Sequence, residues 1–283
     1  MCCTLEPAHL FGTILYAAET VVNDKIVHVM GYQNDAENLS RGPNAMILPI
    51  PAANLLGPDN MLDTSMAKSI LKDLGDAVKP RTLSRGFSLG TKGVDALSVV
   101  QVFDKGSYTV VLATNARAIP AALEQVPLTR RPKPNPAIFD AYAQWYPEWP
   151  IALCCWDGSI KAEPLLWHYE PQDQSRLFAP ALDGHDGKLP QIGRPVSVDH
   201  IVAFGSVMSP RGQNVYYQDF NRWNEGKRGM EAVIPEHLRP FLAHKVTGQS
   251  VHDMQLPNGD FSLPIGLIEK PWKVERVVPP GAA

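Results

Sequence analysis

Short β-rich runs separated by turn-forming residues recur along this chain, and this alternation limits its possible folds more than any other feature of the sequence. In residues 10–33 two such runs flank Asn23 and Asp24, and residues 94–114 repeat the arrangement around 104–107. These turn residues favour tight connections, and strands joined by a tight turn pair antiparallel. The sequence therefore predicts a sheet built largely of antiparallel strand pairs.

Further segments extend this pattern. Residues 45–52 are predicted to add a third strand to the first pair, and Pro49 and Pro51 take it to a sheet edge, where it bends, because proline has no backbone N–H. The Asp-Gly pair at 157–158 and the Asn-Gly pair at 258–259 each predict another hairpin. The polar stretch at 172–197 predicts a loop, and residues 196–207 predict a further strand.

Helical patterns separate the strands. Within residues 59–78, Leu62, Met66, Ile70 and Leu74 recur at every fourth position, which is typical of one apolar helix face. Shorter helices are predicted at 116–126, at 136–146 behind an Asn135 cap, and at 234–246.

Together these elements predict an α+β fold, namely a mainly antiparallel β-sheet with three to four short helices packed on it. The character of the chain changes near its C-terminus, where residues 211–230 set four aromatic side chains among polar ones. We therefore predict a main domain at 1–208 and an aromatic-rich C-terminal arm at 209–283, which forms either an extension or a small lobe.

Composition narrows the function classes. The chain has 283 residues, of which 45% are hydrophobic, enough for a core without metals or disulfides. A formal net charge of -3 and the lack of a Lys/Arg-rich run argue against a nucleic-acid partner. No apolar run reaches about 18 residues and the start lacks the pattern of a signal peptide, so we expect no membrane association and a cytoplasmic location. A charged fraction of only 19% and 26 prolines are compatible with a subunit of an assembly.

Cys2 is the residue with the clearest chemical potential. A small second residue permits removal of the initiator methionine, which exposes a thiol beside its own α-amine, and that amine can act as the local base. The four cysteines occur as two adjacent pairs without metal-ligand spacing, so we predict no metal and no cofactor. Convergence of Cys2, Cys3, Cys154 and Cys155 in space is the alternative.

The second candidate site is an aromatic segment suited to contact with a partner. Aromatic and arginine side chains are enriched at the energetic centres of protein interfaces. Internal packing is the alternative. The predicted interface residues are Tyr216, Tyr217, Phe220, Arg222 and Trp223.

Two resemblances to known families add expectations. The order of TILYAAE, KIVHVMGYQ, MILPIP, GSYTVVLAT and WPIALCCW resembles the uncharacterised bacterial DUF2330 family over about residues 10–200, which implies a fold more than a function. MCCT before an apolar strand is similar to the start of choloylglycine-hydrolase-like amidases, which implies Cys2 as nucleophile. Residues 16–24 lack the early arginine of that family.

The leading functional hypothesis is a non-enzymatic protein that self-assembles as a homo-oligomer or binds another protein. It follows from the low charge, the high proline content, the aromatic segment and the lack of a complete catalytic motif. The first alternative is an N-terminal-nucleophile amide hydrolase that uses Cys2. The second alternative is a small-ligand-binding domain with a pocket between sheet and helices.

Overall fold

The computed structural model describes residues 3–78, 99–157, 163–206, 211–219 and 226–282. Strands dominate these residues. In chain order they are β1 (Cys3–Thr4), β2 (Ala8–Val22), β3 (Lys25–Asn38), β4 (Asn44–Pro49), β5 (Val100–Lys105), β6 (Tyr108–Ala113), β7 (Ile151–Trp156), β8 (Leu165–Tyr169), β9 (Arg176–Ala179), β10 (Pro195–Ser206), β11 (Gln213–Asn214), β12 (Tyr217–Asp219), β13 (Gly226–Arg228), β14 (Lys245–Pro257), β15 (Asp260–Pro264) and β16 (Glu275–Val277).

The helices are short. They are α1 (Ile70–Ala77), α2 (Ile119–Ala122), α3 (Pro136–Trp145) and α4 (Met230–Val233). Single turns of 3-10 helix lie at Pro58–Asn60, Ala116–Ala118, Leu123–Gln125, Ile265–Leu267, Pro271–Lys273 and Pro280–Ala282, and a longer one at Glu236–Phe241. Within the described ranges, none of the helices has the length and apolar character needed to cross a membrane.

Two large sheets organise the chain. One has six strands in the order β11-β14-β10-β2-β3-β8, and the other has five in the order β1-β4-β7-β6-β5. Smaller sheets join β12 to β13 and join β16, β15 and β9. The predicted α+β class with a mainly antiparallel sheet is confirmed, although β2 and β10 pair in parallel.

The hairpin between β2 and β3 follows from local turn chemistry. Asn23 and Asp24 have φ values of 51° and 62°, so both central residues of the turn are left-handed, as a type I′ turn requires. The ladder then runs from Val22 opposite Lys25 to Ala8 opposite Asn38. This prediction is confirmed.

Two predicted strand pairings are wrong, although the strands themselves exist. β4 pairs with β1 and β7 rather than with β3. β7 pairs with β4 and β6, so both of its edges are occupied and β8 pairs with β3 instead. The Asp-Gly pair at 157–158 therefore does not close a hairpin between β7 and β8, and Gly158 itself lies outside the described residues.

The predicted hairpin at 258–259 is also wrong. β14 belongs to the six-stranded sheet and β15 pairs with β9 and β16. Asn258 instead bonds a distant loop, since its Oδ1 accepts from Asp183 N at 2.7 Å and its Nδ2 donates to Asp183 O at 2.8 Å. The predicted loop at 172–197 likewise contains β9.

The first predicted helix is shorter than its periodicity indicated. α1 begins only at Ile70. Residues 61–62 extend along β8 instead of forming a helix, since Leu62 N donates to Leu166 O. Met66 is 78% exposed and takes no part in the expected stripe. Helix α3 forms as predicted, with the Asn135 side chain accepting from Ile138 N.

The six-stranded sheet is covered on both faces. Alternate side chains of a strand point to opposite faces. Leu15 and Ala17 of β2 therefore belong to the core shared with the five-stranded sheet, whereas Tyr16 and Ala18 belong to a second core under α1 and α4. β10 precedes position 208 and β14 follows it, and the two strands pair in one sheet. The six-stranded sheet therefore contains residues from both predicted parts, 1–208 and 209–283.

Gly31 sets the distance between α1 and the sheet, and this leads to a stability prediction. A Cβ at this position would lie 2.7 Å from Leu71 Cδ2 and 2.9 Å from Tyr16 Cβ. We expect Gly31→Ala to lower the free energy of unfolding by about 1–3 kcal/mol, because α1 must move away from its core. Urea denaturation followed by circular dichroism measures the change.

Gly42→Ala is the matched control, since a Cβ there meets nothing within 4 Å. It should change the free energy of unfolding by less than about 0.5 kcal/mol. Equal effects of the two substitutions would contradict the close packing of α1.

Candidate functional site

The structure describes only part of the two predicted sites. Cys2, Phe220, Arg222 and Trp223 lie outside the described residues. Tyr216 is 52% exposed, as a residue that contacts a partner requires.

Tyr217 does not lie on the surface, as the prediction of an interface residue required, because its side chain is fully buried in the core under α1. Tyr216 and Tyr217 are consecutive residues in nearly extended chain, so their side chains point in opposite directions. Burial also raises the pKa of the Tyr217 hydroxyl. The alternative of internal packing holds for this residue, and its ring does not contribute to a surface.

Tyr216 borders a groove that we call the edge groove. It consists of two adjoining recesses of about 210 and 270 Å³, which share Ala77 at the end of α1 and Gln213 of β11. Tyr216 lines one recess, and Trp272, which is 45% exposed, lines the other. Two exposed aromatic rings therefore line adjoining recesses.

One wall of the edge groove is an unpaired strand edge. Within the described ranges, β11 pairs with Lys245 and Val246 of β14 and with no other strand. Beyond Val246, the outer edge of β14 has no strand partner in the part of the chain that the structure describes. Side chains secure the C-terminal segment nearby, since Thr247 Oγ1 donates to Ile268 O at 2.5 Å and Gln249 Nε2 donates to Pro271 O.

The charges of the edge groove are mainly acidic. Lys227 Nζ lies 3.2 Å from Asp73 Oδ1 and 2.5 Å from Asp76 Oδ2. Burial lowers the pKa of Lys227, but its hydrogen bonds to Asp76 and Asp73 outweigh burial and raise it. Lys227 therefore stays charged and compensates one of the two carboxylates. Glu269 adds a further acidic side chain, which pairs with Arg211 at the rim.

The cysteines do not form a metal site in the described structure. Cys3, Cys154 and Cys155 are fully buried, and Cys154 and Cys155 face opposite sides of the sheet because they are consecutive in β7. Cys3 of β1 lies opposite Ile47 of β4, which lies opposite Leu153 of β7, so the backbones of Cys3 and Leu153 are two strand spacings, about 10 Å, apart. Thiolates that bind one metal ion lie within about 4 Å of each other. Among the described residues, no group of three or more potential ligands is arranged to hold a metal ion.

A histidine–aspartate pair lies beside the first described strand. His185 Nδ1 is 2.7 Å from Asp183 Oδ1, and this hydrogen bond raises the pKa of His185. Gly184, between the two residues, forms a parallel bridge with Cys3 and accepts a hydrogen bond from Thr4 N. The chain thus places a histidine base and its orienting carboxylate next to the start of β1, and the sequence pattern did not indicate this pair.

Another recess, which we call the His28 cleft, has a volume of about 280 Å³. Its lining residues come from segments far apart in the chain, including β3, the turn before β9, and β15. No local motif connects them, so sequence reasoning missed the cleft. The lining residues that matter chemically are His28, Trp149, Gln172, Asp173, Arg176 and Asp260.

Asp260 anchors the inner wall of the His28 cleft. Its Oδ2 accepts from the Tyr146 hydroxyl at 2.6 Å, and its Oδ1 accepts from Ala181 N at 2.8 Å and Leu182 N at 3.1 Å. Burial outweighs these bonds and raises the pKa of Asp260. Arg276 packs over the Phe261 ring at 4.4 Å, and burial lowers its pKa to about 10.

His28 is a buried neutral imidazole. It is 1% exposed, and its Nε2 has no hydrogen-bond partner among the described residues. Burial lowers the pKa of His28 to about 4, although the nearby Asp173 acts in the opposite direction. The ring is therefore uncharged at neutral pH.

Comparisons with known proteins add one finding. No protein-family model and no curated protein sequence matches this chain. Among solved structures, it is similar to one described as the crystal structure of baculovirus P35, with 14% identity over 98% of this chain and 94% of that chain, at a TM-score of 0.40. A likeness at this level carries no functional argument.

The pKa of His28 predicts an acid-dependent loss of stability. The unfolded chain takes up a proton near pH 6.5 and the folded chain only near pH 4, so stability is complete above this window and falls as pH decreases through it. We expect wild type to lose about 2 kcal/mol more than His28→Gln between pH values near 7 and near 5. Urea denaturation at both pH values measures this difference.

His9→Gln is the control, because His9 is exposed. It should keep the pH dependence of wild type. If His28→Gln and His9→Gln show the same pH dependence, His28 is not the group responsible.

Proposed function

We propose that this protein is a non-enzymatic binding protein that receives an extended segment of a partner protein in the edge groove. The observation that carries this proposal is the edge of β14 beyond Val246, which no described strand covers and which borders a recess on the surface. An extended peptide can add to an exposed strand edge through backbone hydrogen bonds, and neighbouring recesses then select its side chains.

Two aromatic rings supply contact area for such a segment. Tyr216 and Trp272 are about half exposed, and each lines one part of the groove. Rings of this kind give large contact area at low cost in side-chain entropy, which is why they dominate the binding energy of many interfaces. Contact with a partner would bury both rings.

The charge of the groove favours a basic segment. Asp73, Asp76 and Glu269 face it, while Lys227 pairs with the two aspartates and Arg211 at the rim pairs with Glu269. Three carboxylates against two cations leave a net negative charge. Complementary charge speeds association and selects partners more than it adds affinity. We therefore infer a partner segment that carries lysine or arginine beside apolar residues.

Selection of random displayed peptides on the folded protein tests this proposal. We expect the selected peptides to be rich in basic and aromatic residues, and the double substitution Tyr216→Ala with Trp272→Ala to weaken their binding at least about ten-fold. Fluorescence anisotropy of one labelled peptide measures the affinity.

Leu128→Ala serves as the control, because Leu128 is highly exposed but does not line the groove. It should leave the affinity unchanged. Peptides without basic residues, or equal binding by the double variant, would contradict the proposal. Light scattering during gel filtration separates the alternative of self-association, in which wild type is oligomeric and the double variant is monomeric.

The Asp183–His185 pair favours a second candidate function, amide hydrolysis by Cys2. In this mechanism, the Cys2 thiol transfers its proton to His185 or to the α-amine and attacks the amide carbonyl. The protonated base then returns this proton to the leaving amine, and an acyl thioester remains on Cys2. Water then hydrolyses the thioester and frees the carboxylic acid. Asp183 orients the imidazole through the bond at 2.7 Å.

Mass spectrometry provides the first test of this candidate. We expect removal of Met1 and rapid alkylation of Cys2 in the folded protein, with no alkylation of the buried Cys155, whose pKa is raised by burial. His185→Gln should slow alkylation of Cys2 several-fold, because the base is lost. Retention of Met1, an acetylated α-amine or an unchanged rate in His185→Gln would exclude the mechanism.

A further inference from the structure

We propose that the His28 cleft binds a small organic cation, namely a primary amine carried on an apolar or aromatic body. The cleft is separate from the edge groove, and this inference does not depend on the proposed partner-binding function. It rests on the balance of hydrogen-bond acceptors and charges in the cleft, on its aromatic wall and on its size.

The cation that belongs to the cleft is already neutralised. Arg176 Nε donates to Ser262 Oγ at 2.9 Å, and its guanidinium also pairs with Glu275. Such a pair leaves little charge to attract an anion. Arg276 does not line the cleft, so among the described lining residues no free cation meets a carboxylate or phosphate ligand.

Asp173 and Gln172 keep acceptor oxygens that remain available to a ligand, whereas both oxygens of Asp260 are already bonded. Asp173 Oδ1 accepts from Ser175 N and Oγ in a local turn, but this carboxylate has no ion pair among the described residues. The Gln172 amide nitrogen donates to the carbonyls of Ala52 and Glu148, at 3.1 Å each. The amide oxygen of Gln172 remains as an acceptor for a ligand. An ammonium group has three donors and no acceptor, so it suits this surface.

His28 contributes a buried group that still lacks a partner. Its Nε2 has no hydrogen bond in the described structure, and buried polar atoms of this kind are rare in folded proteins. The ring lines the cleft and is neutral at neutral pH, so it does not repel a cation.

The aromatic wall completes the site. Trp149 and Phe178 meet edge to face, with ring centroids 4.9 Å apart at 87°, and both line the cleft. The face of a tryptophan ring attracts an ammonium group, and its area suits an apolar ligand body. A volume of about 280 Å³ lies at the lower end of small-molecule sites.

Isothermal titration calorimetry with matched ligands tests the inference. The probes are 2-phenylethylamine and 3-phenylpropionate, which have similar apolar bodies and opposite charges. We expect wild type to bind the amine at least ten-fold more tightly than the carboxylate, and Asp173→Asn and Trp149→Leu each to weaken the amine about ten-fold or more.

Asp140→Asn is the control, because Asp140 is an exposed carboxylate outside the cleft. It should bind the amine as wild type does, and thermal denaturation confirms that each variant is folded. Similar affinity for both probes, no heat from the amine at millimolar concentration, or equal effects of Asp173→Asn and Asp140→Asn would overturn the inference. None of these outcomes bears on peptide binding in the edge groove.

Discussion

The pairing of β2 with its two neighbours is the interaction on which the rest of this molecule depends. β2 is antiparallel to β3, which follows it directly, and parallel to β10, which comes from the second half of the chain. Its alternate side chains fill both cores. β10 brings in β14, whose unpaired edge forms the edge groove, and β3 carries His28 to its cleft. The positions of the edge groove and of the His28 cleft therefore both depend on β2.

Local chemistry made part of this fold predictable. Asn23 and Asp24 adopt the left-handed conformations that their turn requires, and Asn135 caps α3 as its position indicates. These outcomes depend on interactions within a few residues. Sheet membership does not, because it depends on which edges are free when a strand arrives. The Asp-Gly pair at 157–158 follows a strand whose two edges are already taken, so its turn preference could not decide the pairing.

The candidate sites were predictable to a smaller extent, for the same reason. Composition identified the aromatic segment that contains Tyr216, but the direction of each ring depends on strand alternation relative to α1, which turned Tyr217 inward. The His28 cleft had no signal in the sequence, since its imidazole, Asp173 and Asp260 lie on segments that meet only in the folded chain. Asp183 and His185 are close in sequence, yet their place beside β1 is a tertiary contact.

The burial of β7 on both faces gives this protein an internal reporter of its own motion. Cys154 and Cys155 sit in the middle of the five-stranded sheet, and no solvent reaches either side chain. A thiol reagent can modify them only in molecules whose sheet has opened, so the rate of modification measures the free energy or the rate of that opening. The sheet can thus be followed in the native protein without an added label, separately from the six-stranded sheet, whose strands contain no cysteine.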